Sequence, residues 1–327
     1  MRHYISFDVG KQWLVMYDGE EERRIRNVKG LDELDLFIST KYRDRVKDIV
    51  FIFEPTGTYS NNLKDFAVKR NIKVLIINPL RVHNFSKALG NRSKTDSIDA
   101  RTIYRMRKIM DEDDISFPLN DERVDKLTKA LSTYRIIKRM RHSLMNHNSE
   151  NRSDIKLLKD RITEEIERLK LLEDEIVRAI IDEIIERDEE LSRSFHLILT
   201  IPGIGVISGV SLLLLFIKYK NTNRNEITSL LGLDPVLKES GISVKGKSRI
   251  SKRGNGMIRS ILYFPTMSAI RHNNRIREFY KRLLDRGKPK KVALIASMKK
   301  LLLIAHAVYK SGIPYRERNN SFTFSSP

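Results

Sequence analysis

The chain has 327 residues, enough for two domains or one domain with a long insertion. At 40% hydrophobic residues it can bury a core, and the absence of cysteine excludes disulfides and thiolate zinc sites. A net charge of +20 and a pI of about 9.9 point to a polyanionic partner, most simply a nucleic acid.

The charge is unevenly placed. Residues 241–327 hold 20 Lys and Arg against Glu278, Asp285 and Glu317, a local net of +17. The longest apolar stretch, residues 210–217, is too short to span a bilayer. The N-terminus runs straight into a strand pattern without a signal peptide. No membrane role is expected, and a cysteine-free chain fits the reducing cytoplasm.

Residues 1–118 read as α/β. Strands are expected at 4–9, 12–17, 22–28, 48–54 and 72–77, with turn signals at Gly10 and at Asp18-Gly19. The first three form an antiparallel meander. The later strands alternate with helical patterns at 31–40, 58–69 and 95–108, which implies crossover helices. Three strands followed by helix, strand, helix, strand is the order of a ribonuclease-H-like fold.

Residues 119–195 differ. Gly and Pro are absent from 121–195, and apolar residues from Ile155 to Ile184 recur every three or four positions, a stripe on one long helix. A helix over 121–147 can pair with it. An intramolecular hairpin and a coiled-coil dimer seam both satisfy this pattern. Residues 196–313 form a mostly helical unit, with helices from 206 and over 224–231, 256–272, 273–286 and 289–310 and a loop from Pro235 to Gly256. The polar tail, 314–327, reads as disordered.

Four acids carry the chemistry. Asp8 ends the alternating run Tyr4-Ile5-Ser6-Phe7, and Glu54 ends the apolar run Ile49-Val50-Phe51-Ile52-Phe53. Asp96 and Asp99 lie three apart, on one face of a helix. A carboxylate closing an apolar strand is costly to bury unless it is paired or binds a cation. Converging carboxylates are what Mg²⁺, or Mn²⁺, selects. Such ions can activate a nucleophile and stabilise a leaving oxygen in phosphodiester chemistry. Singly, each acid reads as a solvated strand end or helix cap; together, in a basic chain, they read as a metal site.

The C-terminal unit offers phosphate contacts. Ile201-Pro202-Gly203-Ile204-Gly205 before a helix resembles a helix–hairpin–helix element, whose backbone amides hold phosphate. Lys245, Lys247, Arg249, Lys252, Arg253 and Arg259 cluster in and after the loop, and Lys11 follows Asp8 and Gly10. Ser240 precedes Gly241 in this loop. Loop serines are common and no histidine base lies nearby in sequence, so the residues alone do not make Ser240 a nucleophile.

These pieces together resemble a transposase of the insertion-sequence one-ten family, whose members pair a RuvC-like domain with a C-terminal transposase domain. The resemblance rests on Phe7-Asp8-Val9-Gly10-Lys11, Glu54-Pro55-Thr56-Gly57-Thr58-Tyr59 and Lys94-Thr95-Asp96-Ser97-Ile98-Asp99-Ala100-Arg101. It continues in the PGIG run, Gly232-Leu233-Asp234-Pro235, Glu239-Ser240-Gly241, residues 249–255 and residues 258–263, in the family's order. It implies that Asp8, Glu54, Asp96 and Asp99 form a DEDD metal site. It also implies that Ser240 attacks the DNA phosphate to give a phosphoserine link in a composite site, within a homo-oligomer between dimer and tetramer. Donor and target double-stranded DNA, chosen by a structured noncoding bridge RNA, are the partners that the resemblance implies. The alternative is a RuvC-like metal-dependent structure-specific nuclease that needs the acids but not Ser240. A non-catalytic architectural protein would need only the basic segment.

Overall fold

A computed structural model describes residues 2–90, 96–110, 121–150, 155–236, 239–240, 244–245, 249–252, 254 and 256–316; at 58, 80, 96–98, 150, 236, 239–240, 244–245 and 249 it describes the backbone alone. The chain is α/β plus α and divides into two units, Met1–Asp121 and Glu122–Pro327.

Unit 1 is built on a five-stranded mixed sheet. Its strands are β1 (His3–Val9), β2 (Trp13–Tyr17), β3 (Glu22–Arg26), β4 (Ile49–Phe53) and β5 (Lys73–Ile76), in spatial order β3-β2-β1-β4-β5. The first three pair antiparallel, whereas β1–β4 and β4–β5 are parallel. That mixture follows from connection length. Short turns join the meander, while α1 (Leu31–Tyr42) and α2 (Asn61–Lys69) carry the parallel crossovers.

β4 is buried along its whole length, as a central strand covered on both faces must be. One face packs Ile5, Phe7, Phe51 and Phe53 against Leu34, Ile38 and Leu63. The other packs Tyr4, Val50, Ile52 and Leu75 against Val82, Ile103 and Met106. The latter three come from α3 (Pro79–Ala88) and α4 (Asp96–Met106). α3 was not expected from the sequence, because its mixed polar run shows little helical periodicity.

A second charge cluster stabilises the β2–β3 turn. The Asp18 side chain is only 1% exposed and accepts from Lys41 Nζ at 2.6 Å, from Tyr42 Oη at 3.2 Å and from the amides of Glu20 and Glu21 at 2.9 Å. Burial raises the Asp18 carboxyl, but the hydrogen bonds from Lys41 and the two amides outweigh it, and the group titrates below the usual range. Desolvation of Lys41 is likewise outweighed by its bonds to Asp18 and Glu20, and its ammonium is held well above its ordinary value.

Unit 2 begins with α5 (Glu122–Glu150) and α6 (Lys156–Ala179), which pack on each other antiparallel within one chain. Arg141 Nε donates to Glu173 Oε1 at 2.5 Å inside this pair. Apolar side chains remain exposed along it, notably Ile136 and Met140 on α5 and Leu157, Leu158 and Leu171 on α6. The expected long helix runs through 184, its last turn π-helical rather than α-helical. Residues Ile180–Ile185 form a π-helical turn, and a new helix, α7 (Glu189–Leu199), starts where the Asp188 side chain accepts from the Leu191 amide at 3.0 Å. A π-turn followed by an Asp cap breaks the helix without Gly or Pro. α7 thus runs across position 195, where composition alone places a boundary.

The remaining helices are α8 (Val206–Lys218), α9 (Arg224–Leu230), α10 (Gly256–Ile261), α11 (Tyr263–His272), α12 (Asn274–Asp285) and α13 (Lys290–Ser311). The expected helix over 256–272 is two helices, parted at Leu262. α8 is buried on nearly every face and forms the centre of the unit 2 core with Phe195, Ile276, Leu301 and Leu302. α13 has the length and composition of a membrane span, and half of that window is buried inside the unit. Its apolar face is accounted for by this core.

Candidate active site

Asp8 and Glu54 occupy equivalent positions on adjacent strands. Phe7 is in register with Phe53, so the next residue of each parallel strand is a carboxylate. Neighbouring strands lie about 4.8 Å apart. Side chains alternate along a strand, so with Phe7 and Phe53 facing the Leu34 side, Asp8 and Glu54 share the face of Tyr4, Ser6, Val50 and Ile52. That is the face on which α4 docks.

The docking of α4 sets which acids approach this edge. The Ser6 hydroxyl lies 2.7 Å from the Ala100 carbonyl and 3.0 Å from the Tyr17 carbonyl, and it has one proton to donate between them. Ile103 and Met106, further along α4, pack with Tyr4 and Val50. α4 therefore crosses the sheet with its C-terminal half over the beginning of β1 and its first turn directed toward the end that carries Asp8. Asp99 adjoins Ala100 and is half-buried; Asp96 opens the helix, with its side chain outside the described residues. Asp8 and Glu54 thus follow paired residues at one end of the sheet, and the backbone of the first turn of α4, which carries Asp99, is directed toward that end.

Two buried groups were missed from the sequence. Ser6 is fully buried and ties β1 to α4. Asn27, 2% exposed, donates to the carbonyls of Gly10 at 2.7 Å and Tyr59 at 2.9 Å. It joins the turn after Asp8 to the turn after Glu54. The signal for Ser6 was available as a polar residue within an apolar strand; Asn27 carried none.

Among the described residues, no three carboxylate or histidine side chains already form a metal-holding group. The chemistry of the donor types nonetheless fits a hard divalent cation. Asp8 and Glu54 follow residues paired in register on neighbouring strands, and the Thr56 hydroxyl, two residues past Glu54, is buried without a hydrogen-bond partner. Lys11, in the β1–β2 turn, is exposed.

In unit 2 the loop around Ser240 is an arm. β6 (Pro235–Val236) pairs antiparallel with β9 (Arg249–Ile250), and β7 (Glu239–Ser240) pairs with β8 (Val244–Lys245). The expected loop therefore holds two short antiparallel ladders, and Ser240 lies opposite Val244 in the second. The root of the loop is fixed. Ser251 Oγ donates to Asp234 Oδ1 at 2.6 Å, its amide to the Asp234 carbonyl at 2.9 Å, and Arg259 Nη1 to the Leu231 carbonyl at 2.6 Å. A Cβ at Gly254 would lie 2.1 Å from the Leu230 carbonyl oxygen, so only glycine closes this root. Lys252 is exposed with φ of 56°. The Ser240, Lys245 and Arg249 side chains, and Lys247 and Arg253 entirely, lie outside the described residues.

Gly203 has a packing reason. It takes φ of 101°, and a Cβ there would come within 2.5 Å of the Ala269 amide nitrogen on α11. Gly205 caps α8 in extended backbone, its amide donating to Ser208 Oγ at 3.0 Å. It has open space where a Cβ would stand.

Asp8 and Glu54 thus sit at the ends of two interior strands of a strongly basic chain. Residues 8–150 match a DEDD-type model of the IS110 group described as Transposase, and residues 195–281 match the model described as Transposase IS116/IS110/IS902 family. Pilin gene-inverting proteins of Moraxella bovis and Moraxella lacunata are each 30% identical over 306 residues, covering 89% of this chain and 89% of theirs. The chain belongs to the IS110 family of transposases and is a DNA recombinase/transposase.

Proposed function

We propose that this transposase cuts and rejoins DNA strands by transesterification, with Ser240 as nucleophile and Asp8, Glu54, Asp96 and Asp99 as the ligands of Mg²⁺ or Mn²⁺. The observation that carries the acidic half is the register. Asp8 and Glu54 follow the paired Phe7 and Phe53, on the face that α4 covers. Carboxylates that end neighbouring parallel strands are oxygen donors that a divalent cation can share. The bound ion would supply charge stabilisation at the phosphorus and the leaving oxygen. We read unit 1 as ribonuclease-H/RuvC-like, supported by the order β3-β2-β1-β4-β5.

Ser240 Oγ attacks phosphorus, the phosphoserine ester forms as the bond from phosphorus to the 3′ oxygen breaks, and the serine's proton is passed through solvent to the departing 3′ oxygen, which leaves as a hydroxyl. Attack on that ester by a 3′ hydroxyl of another strand reverses the step and frees the serine. The cations of the arm, Lys245, Lys247, Arg249, Lys252 and Arg253, stabilise the extra charge on the phosphoryl oxygens. Lys11, Gly203, Gly205 and Arg259 contact the nucleic-acid backbone, Arg259 while also holding the arm's root. The partners are donor and target duplexes selected by a bridge RNA, as in the family that the motifs resemble. DNA inversion of the kind named for the Moraxella proteins is the same chemistry on two sites in one molecule. The exposed apolar residues of the α5–α6 pair support a homo-oligomer, a dimer to tetramer.

The test uses purified full-length protein, guide RNA and end-labelled DNA. A protein–DNA adduct is expected that Ser240→Ala abolishes and Asp8→Asn lowers by about 1,000-fold or more without loss of DNA binding. Strand cleavage that persists in Ser240→Ala without an adduct would instead select hydrolysis by a RuvC-like nuclease.

A further inference from the structure

Unit 2 contains a second strongly cationic feature, away from the Ser240 arm in sequence. A cleft of about 1100 Å³ lies between α12, α13 and the segment that follows α13, with α9 contributing at one side. Seven cations line it, among them Arg224, Arg275, Arg282, Lys299 and Lys300. Among the described residues none of the five forms an ion pair. The cross-element ion pairs of unit 2 fall elsewhere, on Arg123, Arg141 and Lys220. Crowded cations of one sign disfavour their own charge. At Lys300 desolvation, and then Arg275 and Arg282, lower the ammonium's titration, opposed by Glu278.

The cleft is constructed on both sides. Phe279 holds two of the cations over its ring, with Lys300 Nζ 4.3 Å and the Arg282 guanidinium carbon 5.6 Å from the centroid. The opposite wall is pinned. The Tyr315 amide donates to Thr200 Oγ1 at 2.9 Å, and its hydroxyl to Asn273 Oδ1 at 3.0 Å. Between the cations the floor is apolar, made by Leu303, Ala307, Ile313 and Pro314. A duplex presents phosphates outside and keeps its bases stacked and paired, with no apolar face to lay on such a lining. A single strand presents phosphates on one side and unpaired bases and sugars on the other, which suits a cationic rim over an apolar floor.

We propose that this cleft binds a single-stranded segment of nucleic acid, its phosphates on Arg275, Arg282, Lys299 and Lys300 and its bases against the floor. The strand can be RNA or displaced DNA, since both offer the same backbone and unstacked bases. This goes beyond the cut-and-rejoin reading and does not depend on the carboxylates or Ser240.

The test measures binding of fluorescent single-stranded RNA, single-stranded DNA and duplex DNA, each of about twelve nucleotides or pairs, to full-length protein. The triple variant Arg275→Ala/Arg282→Ala/Lys299→Ala is compared with Lys47→Ala/Lys69→Ala/Lys87→Ala, which removes the same charge from unit 1. The cleft variant is expected to lose single-strand affinity about tenfold or more and to flatten the log–log salt slope by about 2. Its duplex binding should fall no further than that of the unit 1 control. The RNA and DNA arms show which strand is held. Equal losses in both triple variants, or an equal loss for duplex and single strand, would overturn the proposal. Thermal melting identifies a misfolded variant, in which case Lys299→Glu alone replaces the triple under the same criteria. Asp8→Asn should bind single strands normally, so a failed recombination mechanism leaves this result readable.

Discussion

The two units mount their candidate reacting groups in opposite ways. Unit 1 places Asp8 and Glu54 at the ends of adjacent parallel strands, with β4 wholly buried beneath and α4 bonded across them through Ser6. Unit 2 places Ser240 in a two-residue ladder, opposite Val244, in a segment fixed at its root by Ser251, Gly254 and Arg259. A sheet edge holds ligands at set spacing, which carboxylates require if they are to share an ion. A two-residue ladder holds its residues with only a few backbone bonds. Position in unit 1 is therefore guaranteed by packing, and in unit 2 by a root of a few contacts.

That contrast can be broken first at the arm. Gly254→Ala drives a methyl into the Leu230 carbonyl and the Gly232 amide, and the backbone must shift. Recombination is expected to fall about 100-fold, because small misplacement of a reacting group is costly. Unit 1 should keep its wild-type protection in hydrogen exchange. Loss of protection in both units would show that the root is not local.

A second test addresses the rigidity of unit 1. Asp18→Asn leaves Lys41 without its buried carboxylate and is expected to destabilise unit 1 by about 3 kcal/mol in urea unfolding. The pH sign follows from the lowered titration of Asp18. The carboxyl stays ionised in the fold where the unfolded chain would already take up a proton. Its contribution is complete above the usual carboxylate range and drains away as pH falls through the depressed value. The Asp18→Asn variant should lack that part of the acid loss.

The smallest effect is expected at Ser6. Ser6→Ala removes the bond to Ala100 and should cost about 1 kcal/mol in the same urea measurement. If α4 is held mainly by Ile103 and Met106, recombination will fall only a few-fold. A loss as large as that of Asp8→Asn would make this hydroxyl the principal anchor of Asp99.

Much of unit 1 was legible because its patterns are local. Alternation in Tyr4–Val9 and the apolar run Ile49–Phe53 gave both strands within a residue of their observed bounds. The helices crossing between parallel strands followed from the same spacing. α3 was not legible, since its residues show no clear stripe until Val82 and Phe85 meet the sheet. In unit 2 the gap between α6 and α7 was hidden because a π-turn and the Asp188 cap replace the Gly or Pro that usually marks a stop. The Ser240 arm reads as loop in sequence because two-residue ladders carry no periodicity.

The order of residues was enough to establish the kinds of groups present: four acids at strand ends and a helix start, a serine among cations, and a large basic excess at the C-terminal end. It was also enough to show that unit 1 alternates strands and helices, because side-chain period is a property of a single segment. Folding in three dimensions was needed to make the residues before Asp8 and Glu54 in-register neighbours on adjacent strands, to give Gly203 its packing role, and to line one cleft with seven cations drawn from α9, α12, α13 and the segment after it. Register, close approach and charge clustering arise between segments, where no local pattern records them.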